Sequence, residues 1–295
     1  MNDRYGVDPC AASTFVELAS LLRLFGPEHG RFIVEFPLDW PEEVRNAHID
    51  DLDDLSRARL TEILLRFKNS LLPASTRYSE ALSWVQNAQQ LRDVQGLIGP
   101  VGSRPPIQTV FDVLTDPKAL PDCSGAHIPR TPNAYAEAAR PLFQISKKVV
   151  LIDRYLRLRD LSRIEHRYVR TLKALIKAAQ AEKVDVFKLM VNAEHARIHI
   201  DDGAQFKADL EMIQCEVGAS DIKIEYGFLE SHSLDSHPRY LLGNECGLSF
   251  DWGFEVKDAT STCHVEWVGR AALKPLLERF MQATSLARSR APRRW

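Results

Sequence analysis

No run of about 18 apolar residues occurs in this chain, so it contains no candidate membrane-spanning helix. Cysteine is scarce. The five, Cys10, Cys123, Cys215, Cys246 and Cys263, are odd in number and never spaced as CxxC. That pattern excludes the common zinc and dithiol motifs and points to a reduced compartment. The opening residues Met1-Asn2-Asp3-Arg4-Tyr5-Gly6 lack the basic-then-apolar layout of a secretory leader, so a cytoplasmic location is expected. No GxxxxGKS or GxxxxGKT loop occurs, and Ser249 does not lie in a GxSxG elbow. A P-loop NTPase and a serine hydrolase of that kind are thereby excluded. Internal repeats and low-complexity tracts are also missing.

What is present describes a globular chain. Its 295 residues suffice for one large domain or two ordinary ones, and 45% hydrophobic against 26% charged residues is the balance of a packed, water-facing protein. The net charge of −2 is unevenly divided. Residues 1–140 carry 14 Lys and Arg against 19 Asp and Glu, net −5, while residues 141–295 carry 24 against 21, net +3. So modest an excess does not by itself mark a nucleic-acid protein.

The apolar rhythm divides the chain in two. In residues 1–130 helices are expected over 11–25, 41–70 and 78–97, with one strand at 31–36. Residues 98–132, rich in Pro and Gly, read as a connection with one short helical turn at 109–114. From 131 to 285 strands and helices alternate. Strands are expected at 149–155, 184–192, 222–228, 237–242 and 262–268, helices at 132–146, 161–182, 203–217 and 270–285, and a hairpin return at 247–256. Alternation of this kind predicts an α/β fold with a mostly parallel sheet and late antiparallel strands. Residues 286–295 form a basic tail.

The chemistry concentrates in His237-Pro238-Arg239-Tyr240-Leu241-Leu242-Gly243-Asn244, followed by Gly247-Leu248-Ser249-Phe250-Asp251-Trp252-Gly253. On a strand, His237 and Arg239 point to one side. An imidazole beside a fixed cation suits a phosphodiester: the imidazole attacks or transfers protons, and the cation grips phosphate oxygens. A second concentration begins at Asp153. Arg154, Arg157, Arg159, Arg163, Arg167 and Arg170 follow it, offset only by Asp160 and Glu165. This run reads either as a solvated helix face or as a phosphate-gripping patch beyond the end of a buried strand. His232 has no cation two residues on. His195 and His199, beside Glu194 and Asp201, sit on a strand exit where HxxxH spacing does not gather a metal. No cofactor or metal is expected.

The His-x-Arg-x4-Asn segment and the glycine-punctuated run after it resemble the phospholipase D superfamily, whose signature is His-x-Lys-x4-Asp. Here His237 holds the His position, Arg239 the Lys position and Asn244 the Asp position. Val149-Val150-Leu151-Ile152-Asp153-Arg154-Tyr155 is similar to that family's first strand ending in Asp-x-Tyr. The resemblance covers about residues 130–285 and one repeat. It implies a phospholipase D-like mixed sheet flanked by helices, with catalytic positions His237, Arg239 and Asn244. Phosphate-binding positions would be Arg154, Arg157, Arg159 and Arg163, supported by Asp153, Asp251 and Glu255. Asp235 is a further nearby carboxylate. The implied ligand is nucleic acid or another phosphodiester, bound with weak or no catalysis because both cation and carboxylate are substituted. The alternatives it leaves open are an active homodimeric metal-independent nuclease and a scaffold subunit with protein partners. Such proteins resemble components of bacterial phage-defence or mobile-element operons.

Overall fold

The computed structural model of the chain describes residues 2–103, 106–116, 118–121, 123–159, 166–192, 203–229, 239–257 and 260–289. It is α/β, with sheets flanked by helices, and divides into two compact units, 1–124 and 125–295. The division falls slightly ahead of the boundary expected at 130, because Gly125–Pro129 is a strand of the second unit.

The first unit is wound on a five-stranded sheet in the order β3-β2-β1-β4-β5. The strands are β1 (Asp3–Val7), β2 (Arg31–Glu35), β3 (Leu72–Pro73), β4 (Gly96–Gly99) and β5 (Ile107–Thr109), and every pairing is parallel. Five helices accompany them among the described residues: α1 (Phe15–Leu22), α2 (Trp40–His48), α3 (Asp54–Lys68), α4 (Trp84–Ala88) and α5 (Val110–Thr115). Both sheet faces are covered. Tyr5, Val7, Ile33 and Ile98 pack with α1, α2, α3 and α5, while Val34, Phe36, Leu97 and Ile107 pack with Trp84 and Ala88 of α4. Burial on both faces is what parallel strands require. Sequence reading found only β2 of these five strands. It also extended α4 across 78–97, where the structure has a short capped helix, Ser83 accepting from the Gln86 amide, and then β4.

The second unit is a seven-stranded mixed sheet in the order β6-β12-β11-β10-β7-β8-β9. Its strands are β6 (Gly125–Pro129), β7 (Lys148–Asp153), β8 (Val186–Asn192), β9 (Lys223–Leu229), β10 (Arg239–Leu242), β11 (Gly247–Phe250) and β12 (Thr262–Val268). β7, β8 and β9 are parallel, and the rest pair antiparallel. Helix α6 (Pro132–Ile145) begins where Thr131 caps it and Pro132 opens its first turn. Helices α7 (Arg167–Ala181) and α8 (Gly203–Glu216) provide the parallel crossovers. Helix α9 (Arg270–Ser289) covers one face, laying Leu273 and Phe280 on Ile152, Met190 and Leu242. It runs past the expected end at 285, and residues 290–295 of the tail lie outside the described residues. No helix among the described residues is long and apolar enough to cross a membrane.

Candidate functional site

β7 is an apolar run ending in a carboxylate, and that ending positions the site. The sheet changes direction at β7: β8 and β9 extend one way, β10, β11, β12 and β6 the other. Crevices in α/β sheets open at such switch points, beyond the carboxyl ends of strands. β10 runs antiparallel to β7 with Leu241 opposite Leu151 and Leu242 opposite Val150. That apolar register brings Arg239 directly opposite Asp153.

Asp153 is 0% exposed. Its Oδ1 accepts from the Tyr155 amide at 2.8 Å and its Oδ2 from the Phe254 amide at 3.5 Å. Burial pushes its pKa up to about 6, against the opposing pull of the Tyr155 amide and of Arg239. Burial, reinforced by Asp153 and Glu255, also pushes the Tyr168 phenol upward, keeping it a neutral donor.

These groups meet around Gly253. A Cβ there would stand 2.7 Å from the Tyr168 hydroxyl, 3.1 Å from Asp153 Oδ2 and 3.3 Å from Arg239 Nε. Glycine is required because the three functional groups already occupy the space of a side chain. The backbone of this turn is held residue by residue. The Asp251 carbonyl accepts from Arg239 at 2.6 Å, and Asp251 Oδ1 accepts from the Trp252 and His264 amides, each at 2.7 Å. The Gly253 carbonyl accepts from the Tyr135 hydroxyl at 3.0 Å and from Arg130 at 3.5 Å. Arg239, at the start of β10, and Arg130, just after the end of β6, thus converge on the turn. Each has a buried Nε–H with no acceptor among the described residues. Such a charged donor favours an incoming oxyanion. Tyr155 lies below two guanidiniums, Arg154 at 5.3 Å and Arg239 at 5.4 Å from its ring centroid.

The expected site residues therefore separate. Asp153, Arg239, Asp251 and Glu255 gather at this end of the sheet, Asp251 through its carbonyl and Glu255 as the ionic neighbour of Arg167 at 3.4 Å and Lys257 at 3.6 Å. Asn244 does not join them. It is exposed in the turn between β10 and β11, at the far end of the strand from Arg239, because β10 extends away from the site after residue 239. Arg159 is committed elsewhere: its Nε and terminal nitrogen bind the two oxygens of Asp209 at 2.7 and 2.5 Å, tying the segment after β7 to α8. Arg157 is half-buried and engaged within the fold. His237, Arg163, His232, Asp235, and the group Glu194, His195, His199 and Asp201 lie outside the described residues. Among the described residues no cluster of three metal-ligating side chains occurs.

No family model matches the chain, and no curated protein matches it. One solved structure it is similar to is that of TrmBL2, an archaeal chromatin protein reported to show a novel mode of DNA binding. The TM-score is 0.28 at 12% identity, over 59% of this chain and 55% of that one. The chain thus spans little more than half of that structure, and at this score the likeness bears on neither fold nor function.

Three residues of the site carry no sequence signal. Arg130 stood in the supposed connection, Tyr135 on a helix with no motif, and Tyr168 among core positions of α7. Gly253 was visible as part of a glycine-punctuated run, but only the structure gives the reason for it.

Proposed function

We propose that the second unit is a phospholipase D-like domain that binds phosphodiesters, nucleic acid foremost, with slow or absent cleavage. The observation that supports this most is the convergence of Arg239 and Arg130 on the Gly253 turn, each with a buried donor that has no acceptor among the described residues. A phosphate oxygen satisfies such a donor through a charge-assisted bond. Asp153 tempers the charge, and Tyr168 adds a neutral hydroxyl. His237, two residues before Arg239 in the sequence, is the proposed partner of that cation in any chemistry, and it lies outside the described residues. The case for slow chemistry is the substitution pattern. Arginine replaces the compact lysine, and Asn244 supplies no negative charge and lies exposed at the other end of β10.

The test is a titration of short labelled DNA and RNA at several salt concentrations. Binding is expected to weaken steeply with salt. Arg239→Ala should weaken it by about 1–3 kcal/mol, the cost of one charge-assisted contact. Cleavage, if measurable, should survive EDTA and vanish in His237→Ala. Salt-insensitive binding, or affinity unchanged in both Arg239→Ala and Arg130→Ala, would remove the basis for the proposal. Fast EDTA-resistant turnover would replace the binding role with catalysis.

A further inference from the structure

Trp252 is 56% exposed, although it sits in the middle of a turn held by hydrogen bonds on both sides. Its amide donates to Asp251 Oδ1 at 2.7 Å, and its carbonyl accepts from the Cys263 thiol at 3.5 Å. The residue before it accepts from Arg239 and the residue after it from Tyr135 and Arg130. The backbone is therefore fixed while the indole is left to water. Burial of an indole is among the larger gains available to a fold, and here the ring is instead held on a rigid base where its face can take a flat ligand. Its neighbours suggest which ligand. The Arg130 guanidinium lies over the indole at 5.9 Å from the ring centroid, while the same side chain reaches the Gly253 carbonyl. Arg130, whose buried Nε–H has no acceptor among the described residues, thus lies over a fixed, partly exposed ring, and Arg239 holds the carbonyl of the residue before it.

We propose that Trp252 is a stacking platform for a nucleobase, so that the phosphodiester held at Arg239 and Arg130 belongs to single-stranded nucleic acid. The inference rests on the phosphodiester-binding reading above and narrows its ligand. Bases in a duplex are stacked on each other and offer no free face, whereas a single strand offers one at every residue. A cation beside an aromatic plane is the usual companion of such a platform, gripping the backbone while the ring takes the base. A lipid headgroup has the phosphate but no ring to stack.

The experiment uses the full chain and fluorescence anisotropy with three labelled probes: a short oligothymidylate, an abasic oligonucleotide of equal length, and the matching duplex. Trp252→Ala and Trp252→Phe are compared with the wild type after circular dichroism confirms that each is folded. Wild type is expected to bind oligothymidylate roughly tenfold more tightly than the abasic strand, the size of one base–aromatic stack, and more tightly than the duplex. Trp252→Ala should bring oligothymidylate down to the abasic level and leave abasic binding unchanged, and Trp252→Phe should keep part of the difference. Equal affinity of wild type for oligothymidylate and abasic strand, with no change in Trp252→Ala, would overturn the platform while leaving phosphate binding intact. Tighter binding of the duplex would overturn it as well. Failure of wild type to bind any probe would overturn the phosphodiester reading and this inference with it.

Discussion

A carboxylate sealed at 0% exposure opposite an arginine has a measurable consequence at Asp153. In the unfolded chain this group ionises near its ordinary value of 3.8, and in the folded protein at about 6, chiefly because burial disfavours the charge. Between those values the folded state holds a proton that the unfolded state has lost. Stability therefore falls as pH rises from about 4 to about 6, by up to about 3 kcal/mol from this group alone. Urea unfolding of wild type and Asp153→Asn at several pH values isolates the term, since other carboxyls, such as Asp8 and Glu35, contribute equally to both. The difference between the two proteins should move against the wild type across that window, and a difference independent of pH would show that Asp153 titrates as an exposed group. The same titration touches function. Below about pH 6 the neutral carboxyl leaves Arg239 uncompensated, so phosphodiester affinity should rise there in wild type and stay flat in the variant. Asp153 and Arg239 were both legible in the sequence, because a charge ending an apolar run and a charge opening another stand out. Tyr168 was not, since its spacing on α7 matches that of the core residues around it.

At the scale of elements, the arginines after β7 show where reading charge from sequence stops. The run looked uniform, yet its described members have different employments: Arg154 over Tyr155, Arg159 on Asp209, and Arg167 on Glu255. Asp209 is 5% exposed on α8, and removing its partner leaves a buried carboxylate uncompensated. The full cost of such a loss is several kcal/mol, but Arg159 is 37% exposed and the pair is partly screened by water. Arg159→Ala should therefore destabilise the protein by about 1–2 kcal/mol and leave oligonucleotide affinity unchanged at saturating fold. A loss of affinity equal to that of Arg239→Ala, without loss of stability, would return Arg159 to the phosphate site. The strands tell a parallel story. The apolar run of β7 and the alternation of β12 were readable from composition and period, whereas β1, β4 and β5 were not. β1 and β4 are short and carry Gly6, Gly96 and Gly99, and β5 is only three residues long within the Pro- and Gly-rich stretch. In the sheet these glycines permit close approach: a Cβ on Gly6 would stand 2.8 Å from a Leu97 methyl, and one on Gly99 2.9 Å from an Ile107 methyl. Parallel pairing of this kind is also non-local, so no turn chemistry announces it.

Over the whole molecule, the α/β class was legible because alternating periods recur for more than a hundred residues of the second unit, while the first unit's sheet stayed hidden behind its longer helices. Each unit has its own sheet, and each buried apolar cluster described above draws its members from one unit alone. Every residue assigned here to phosphodiester binding, from Arg130 to Glu255, belongs to the second unit. A chain that divides into two compact units, each with its own sheet, need not follow one transition on heating, so thermal unfolding of the full chain should depart from a single two-state transition. The stronger expectation concerns binding. If the site is complete within one unit, residues 125–295 expressed alone should fold and bind the same short oligonucleotides within about a factor of two of the full chain, the tolerance for uncoupled parts. The first unit, net acidic over the residues 1–140 that include it, should show no salt-dependent binding of its own. The measurement is the same anisotropy titration on the two fragments, preceded by a heat-denaturation curve for each. A folded 125–295 fragment whose affinity has dropped more than tenfold would mean that the first unit supplies contacts to the nucleic acid, and the site would then have to be redrawn to include it.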